Sequence, residues 1–123
     1  MNSRLEAQVE PLKKGLSVSR FTDRIISPTW VDNFAEAMLE IVEDSFDYRG
    51  ILHLAGSQSL TDYEYTCYLA RYLRVAETLV KKDKLQISSL KTWNISLDVS
   101  FTQSLLRTRL LNVEEQLARI FPA

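Results

Sequence analysis

The chain has 123 residues, 46% of them hydrophobic, 25% charged and 10% aromatic, a globular composition that excludes a disordered tail, a collagen-like fibre and a disulfide scaffold. At this length one domain spanning residues 1–123 is expected, able to bury roughly two-thirds of the surface of its unfolded chain. Fifteen Lys plus Arg against sixteen Asp plus Glu leave a net charge of −1, which argues against nucleic acid or an anionic membrane surface as partner. At the N-terminus Leu5, Val9, Leu12 and Leu16 have helical spacing, with Pro11 expected to kink or end the helix and Gly15 to end it in any case. Residues 17–23, with Val18 and Phe21, are a candidate strand. From Ser27 to about Glu43 the apolar residues Val31, Phe34, Ala35, Met38, Leu39 and Val42 form one helical stripe. This predicts a helix packed on the core by that stripe, with Asp32, Glu36, Glu40 and Glu43 turned away, Ser27 as cap and Pro28 at the first helical position.

Gly50-Ile51-Leu52-His53-Leu54-Ala55-Gly56 is a short apolar run between two glycines, the pattern of a strand inside a sheet covered on both faces. Thr61-Asp62-Tyr63-Glu64 fits a reciprocal capping box and opens a helix through Arg74, with Tyr65, Leu69, Tyr72, Leu73 and Ala76 toward the core. Residues 82–87 and 94–98 alternate in polarity as short strands do, and the lysines of the first suggest an exposed edge. Ser100 and Asn112 have the chemistry of two more helix starts. The last helix turns Val113, Leu117, Ile120 and Phe121 onto one face and stops at Pro122. No repeat or low-complexity linker interrupts the chain, so the expected fold is α/β, a small mixed domain of about four helices with short strands.

Chemistry-bearing residues are sparse. The three glycines, Gly15, Gly50 and Gly56, cannot write a GxGxxG dinucleotide turn or a P-loop. His53, the single histidine, lies inside the apolar run and reads as a core imidazole rather than a member of a Ser/His/Asp triad. Cys67, the single cysteine, permits no internal disulfide, reads as a packed side chain rather than a thiolate, and makes the reducing cytoplasm the expected location. One His and one Cys build no transition-metal site, and the acids show no calcium-loop register. Glu40 with Glu43, and Glu114 with Glu115, read as solvated helix faces. Lys81, Lys82, Lys84 and Lys91 form a basic patch, a solvated edge with an anion contact as the alternative. Tyr65 and Tyr72 are assigned to the core. No apolar run approaches the ~20 residues of a membrane span, and residues 1–9 lack the apolar centre of a secretory signal.

Several segments in order resemble one known family. Residues 21–37, FTDRIISPTWVDNFAEA, are similar to the D-Q-x-x-S-P-T-x-x-x-D-L-A stretch of the dTDP-4-dehydrorhamnose reductase branch of the extended short-chain dehydrogenases/reductases. Residues 50–56 resemble that branch's G-I-Y-H-x-x-G strand, followed by a capped helix. Residues 94–100, NISLDVS, resemble its R-P-x-N-x-x-L-D-x-S-K ending, with Leu105-Leu106 before the terminal helix. The likeness covers nearly the whole chain, but only the C-terminal third of the family's length.

The resemblance implies the C-terminal, substrate-binding part of a Rossmann-type reductase or epimerase acting on a nucleotide-sugar. It points to Arg24, Thr29, Lys91, Trp93 and Asn94 as substrate-binding residues. Arg24 stands where the family commonly has Gln, and Lys91-Thr92 where it has Arg-Pro; lysine keeps the charge but loses the bidentate fork. No tyrosine here has a lysine four positions on, so the Tyr-x-x-x-Lys proton donor is missing, and the glycine turn that would hold NAD(P) is missing too. The expectation is a chain inert by itself and indifferent to NADPH, whose full-length parent is an NAD(P)-dependent oxidoreductase. Its expected partners are the Rossmann domain of that parent or a partner protein, and a second copy meeting it through Leu5, Val9, Leu12 and Leu16 with Trp30 or Trp93. A regulatory or protein-interaction module derived from the family is the alternative.

Overall fold

The computed structural model describes residues 3–85 and 93–122, which hold five α-helices and five short strands. The larger core forms where α1 (Ser3–Lys13), α3 (Asp62–Leu73) and α5 (Val113–Ile120) close over a parallel strand pair, β1 (Val18–Phe21) with β4 (Val80–Asp83). Val18 and Val80 pair directly and are both buried, joining Val9, Leu12, Leu69, Val113 and Leu117. Each fully buried Leu or Val adds about 1.5–3 kcal/mol of hydrophobic stabilisation. Pro11 is accommodated inside α1, two residues from its end, and Gly15 follows it at φ +74. Val9 and Leu12 are thus core residues and Leu5 packs against them, while Leu16 stays exposed. Of the residues expected to meet a second copy, Val9 and Leu12 face this core, whereas Leu16 and Trp93 are exposed.

Thr61 and Asn112 cap α3 and α5 with complete capping boxes, closed by Glu64 and Glu115, as the sequence predicts. Arg74 ends α3 in the left-handed conformation, which leaves Ala76 outside the helix and exposed. A second sheet has the order β3-β2-β5: β2 (Arg24–Ile26) is antiparallel to β3 (Leu60–Thr61) and parallel to β5 (Trp93–Asn94). The strand expected over 94–98 therefore shrinks to its first residue plus Trp93. Of the one expected over 82–87, only Lys82 and Asp83 are strand, and Gln86 and Ile87 lie outside the described residues.

A smaller apolar cluster, Ala37, Ala55, Val99, Leu106 and Leu110, joins α2 (Val31–Ile41) to α4 (Ser100–Leu105) and the segment around Leu54. Here several expectations fail. α2 begins later than predicted, after Trp30, with no side-chain cap; Ser27 instead accepts a hydrogen bond at Oγ from the Leu97 N–H. Ser100 is already helical and does not cap α4.

More consequentially, α2 is rolled roughly 160° about its axis from the orientation its apolar stripe predicts. Asn33, Ala37 and Glu40 face inward, whereas Val31, Leu39 and Val42 are 59%, 68% and 70% exposed. The cause is the coil at 106–111, whose backbone needs partners. Asn33 donates to the Arg109 carbonyl and accepts from Leu111 N–H, and Glu40 accepts from the N–H groups of Arg107 and Thr108 at 2.7 and 2.6 Å. Buried backbone groups that lack such partners carry a desolvation penalty. Finally, residues 50–56 form no strand, and His53 is exposed rather than a core imidazole. Cys67 is buried in the larger core as expected.

Candidate functional site

The site is a cleft of about 630 Å3 where α1, β1, β2 and the N-terminal ends of α2 and α3 converge. Arg4, Arg20 and Arg24 bring three guanidinium groups to it, and Trp30 and Tyr65 bring two aromatic rings. Arg24 Nη1 contacts both carboxylate oxygens of Asp62, at 3.0 and 3.1 Å, and Asp62 is largely shielded from solvent. Arg4 and Arg20 have no carboxylate partner among the described residues; Arg20 donates only to the adjacent Ser19 carbonyl. The cleft thus keeps a positive excess in a chain that is nearly neutral overall. Burial pushes the Tyr65 phenol above its ordinary range, so it remains a neutral donor at physiological pH.

The wall at Pro28–Trp30 is held rather than loose. Gln116, buried on α5, donates through Nε2 to the carbonyls of Pro28 and Leu111, both at 2.9 Å. Thr29 Oγ1 donates to the Ser27 carbonyl and accepts from Gly56 N–H. Gly56 is required there: a Cβ would run into the Pro28 carbonyl and lie 2.6 Å from Gln116 Nε2.

Of the residues the resemblance singled out, Arg24 and Thr29 line this cleft. Trp93 pairs with Arg24 and Asn94 with Ile25 across the β2/β5 ladder, but neither side chain lines it. Asn94 Oδ1 instead accepts from the Ser96 N–H and hydroxyl, beside a cleft of about 460 Å3 that contains Ser96, Asp98 and Ser100. The Ser100 hydroxyl and N–H hold the Asp98 carboxyl below its usual range. Lys91 lies outside the described residues. Arg4, Arg20, Trp30, Tyr65 and Gln116 were not singled out as site residues, because α1, β1 and α5 meet only in three dimensions.

Of the glycines, Gly15 follows the C-terminus of α1 and Gly56 is taken up by the close pass against Pro28.

The mixed α/β architecture has a counterpart among solved structures. The chain superposes on the 2.65 Å crystal structure of dTDP-4-dehydrorhamnose reductase from Bacillus anthracis in complex with NADP with a TM-score of 0.75 and 18% identity. The alignment covers 98% of this chain and 42% of that one, so the chain spans less than half of the reductase's length. The sequence model for the RmlD substrate binding domain matches residues 5–121, and the chain belongs to that family. No curated protein sequence matches it. Among the described residues no helix is long and apolar enough to cross a membrane.

Proposed function

We propose that this chain grips a nucleotide-sugar for a reductase or epimerase whose cofactor domain supplies NAD(P), and that it is catalytically inert alone. The observation that carries the reading is the cleft itself: two guanidinium groups without carboxylate partners among the described residues, beside two aromatic rings. Arginine forks match the oxygens of a diphosphate, and an indole or phenol ring offers a face for a base. The volume falls within the usual range for small-ligand sites. Arg24, tied to Asp62, positions the floor, and Arg4 and Arg20 remain for the anion. Lys91, Trp93 and Asn94 contribute to the sugar side when the two parts of the enzyme close. Hydride transfer needs a cofactor and a proton donor, and in this reading both belong to the other domain, in the cytoplasm.

Titration of the Trp93→Phe variant with dTDP, followed by Trp30 fluorescence, tests this. Saturable binding is expected, weakened about tenfold or more by Arg20→Ala, while NADPH fluorescence stays unchanged on adding the protein. Absence of dTDP binding up to millimolar concentration, or saturable NADPH binding, overturns the reading. The exposed stripe of α2 favours the second reading, a non-catalytic interaction module. Stoichiometric capture of a partner protein together with no dTDP affinity would select it.

A further inference from the structure

Gln116, on α5, is only 4% exposed, yet it lines the cleft together with the three arginines. Both of its amide hydrogens are spent, one on the Pro28 carbonyl and one on the Leu111 carbonyl, each at 2.9 Å. That fixes the amide, because turning it over would set Oε1 against two carbonyl oxygens. Oε1 itself accepts from no donor among the described residues. No fully sealed side-chain oxygen or nitrogen among them goes without a partner, so Oε1 has an opening, and the surface that Gln116 lines is the cleft. α5 thus holds a nearly buried acceptor, fixed in orientation, toward the space a ligand would fill.

The neighbours of Gln116 narrow what that oxygen can take. Ile120, one turn further along the same face of α5, lines the cleft with it, as do Ile26, Pro28 and Trp30 of the wall that Nε2 holds. None of these four side chains carries a hydrogen-bond acceptor. A sugar ring brings several hydroxyls, each in need of a partner, whereas the imide edge of thymine or uracil brings a single N–H on a flat ring that Trp30 can cover. Guanine, adenine and cytosine carry amino groups whose further hydrogens would be left without acceptors beside these residues. We infer that Gln116 is the residue that reads the base: its Oε1 accepts a hydrogen bond from the ring N–H of a thymine or uracil stacked on Trp30, while Arg4 and Arg20 hold the diphosphate. The inference deepens, and rests on, the reading of this cleft as a nucleotide-sugar site. One amide then does two things, its nitrogen holding the wall against which the base lies and its oxygen selecting that base.

N3-methyl-dTDP, which lacks that ring hydrogen, is the probe, and calorimetric titration gives the affinities. The natural protein should bind dTDP about tenfold or more tighter than N3-methyl-dTDP. In Gln116→Met, dTDP should fall to the level of the methylated ligand and methylation should cost nothing further, so that the two changes are coupled rather than additive. Inorganic pyrophosphate, held by Arg4 and Arg20, should bind the variant and the natural protein alike. A Gln116 that only holds the wall would weaken dTDP and its methyl derivative in equal proportion on substitution, and that result overturns the inference, as does equal binding of the two ligands by the natural protein. Should Gln116→Met fail to fold, the natural protein still decides: with dTDP carrying 15N at N3, the bound imino proton should give a nuclear Overhauser contact to the Gln116 γ-methylene, and a bound imino proton without that contact overturns the inference. No dTDP binding up to millimolar concentration overturns the nucleotide reading and this inference with it, whereas dTDP binding without a penalty for methylation overturns the inference alone.

Discussion

Gly56 shows how far a single residue's role is hidden from the sequence. It reads there as the end of an apolar run, but its lack of a Cβ is what lets the backbone pass the Pro28 carbonyl under Gln116. Gly56→Ala should cost about 3 kcal/mol or more, the upper end of over-packing penalties, because the clash is with backbone. Gly15→Ala, strained only by its left-handed φ with open space around it, should cost about 1–2 kcal/mol; equal urea midpoints for the two variants would refute the assignment. Glu40 was equally illegible, since on a helical wheel it sits among solvated acids. Its carboxyl is held below the ordinary glutamate range, first by the Arg107 N–H and then by Thr108. A carboxylate favoured in the folded state stabilises above its unfolded pKa, and that contribution is lost as pH falls through the lowered folded value. Thermal melts from pH 7 down to pH 3 should therefore fall less steeply for Glu40→Gln than for the natural protein, and parallel curves would show that the pairing does not matter.

At the scale of elements, capping chemistry was legible where the box is reciprocal. Thr61 with Glu64 and Asn112 with Glu115 are local signals that no distant contact overrides. Periodicity located α2 but misled about its orientation, because an apolar stripe says which face wants cover and not whether this chain provides it. The contrast with α1 is testable. Leu12 is fully buried, and Leu12→Ala should cost about 2–5 kcal/mol, whereas Leu39→Asp on the exposed stripe should change stability by no more than about 0.5 kcal/mol. Chemical denaturation of the two variants decides it, and a large loss from Leu39→Asp would mean that α2 packs by its stripe after all. The site was half legible for the same reason: Arg24 and Thr29 sit in a recognisable segment, but the cleft they line is completed by Arg4 and Gln116, more than a hundred residues apart.

Across the whole molecule the two apolar clusters are unequal. The larger joins three helices and a parallel strand pair through ten buried residues, while the smaller has five, two of them alanines. The strand predicted at 50–56 belongs to the weaker half, and its pattern of a sheet-interior segment is one the described residues leave unfulfilled. Buried apolar area sets how much free energy a region needs to open locally, so the α2/α4 half should open below the global unfolding transition. In native-state hydrogen exchange with added urea, the Leu69 and Leu117 amides should report global unfolding with a steep urea dependence. The Ala37 and Leu106 amides should exchange through a shallower opening, at least about 1–2 kcal/mol lower in free energy. Leu110→Ala, in the smaller cluster, should widen that gap, since the deleted side chain lowers the opening free energy of its own half. Convergence of all four amides on one isotherm would mean instead that the two clusters unfold as a single cooperative unit, held together by Gln116, which ties α5 to the Pro28 and Leu111 carbonyls.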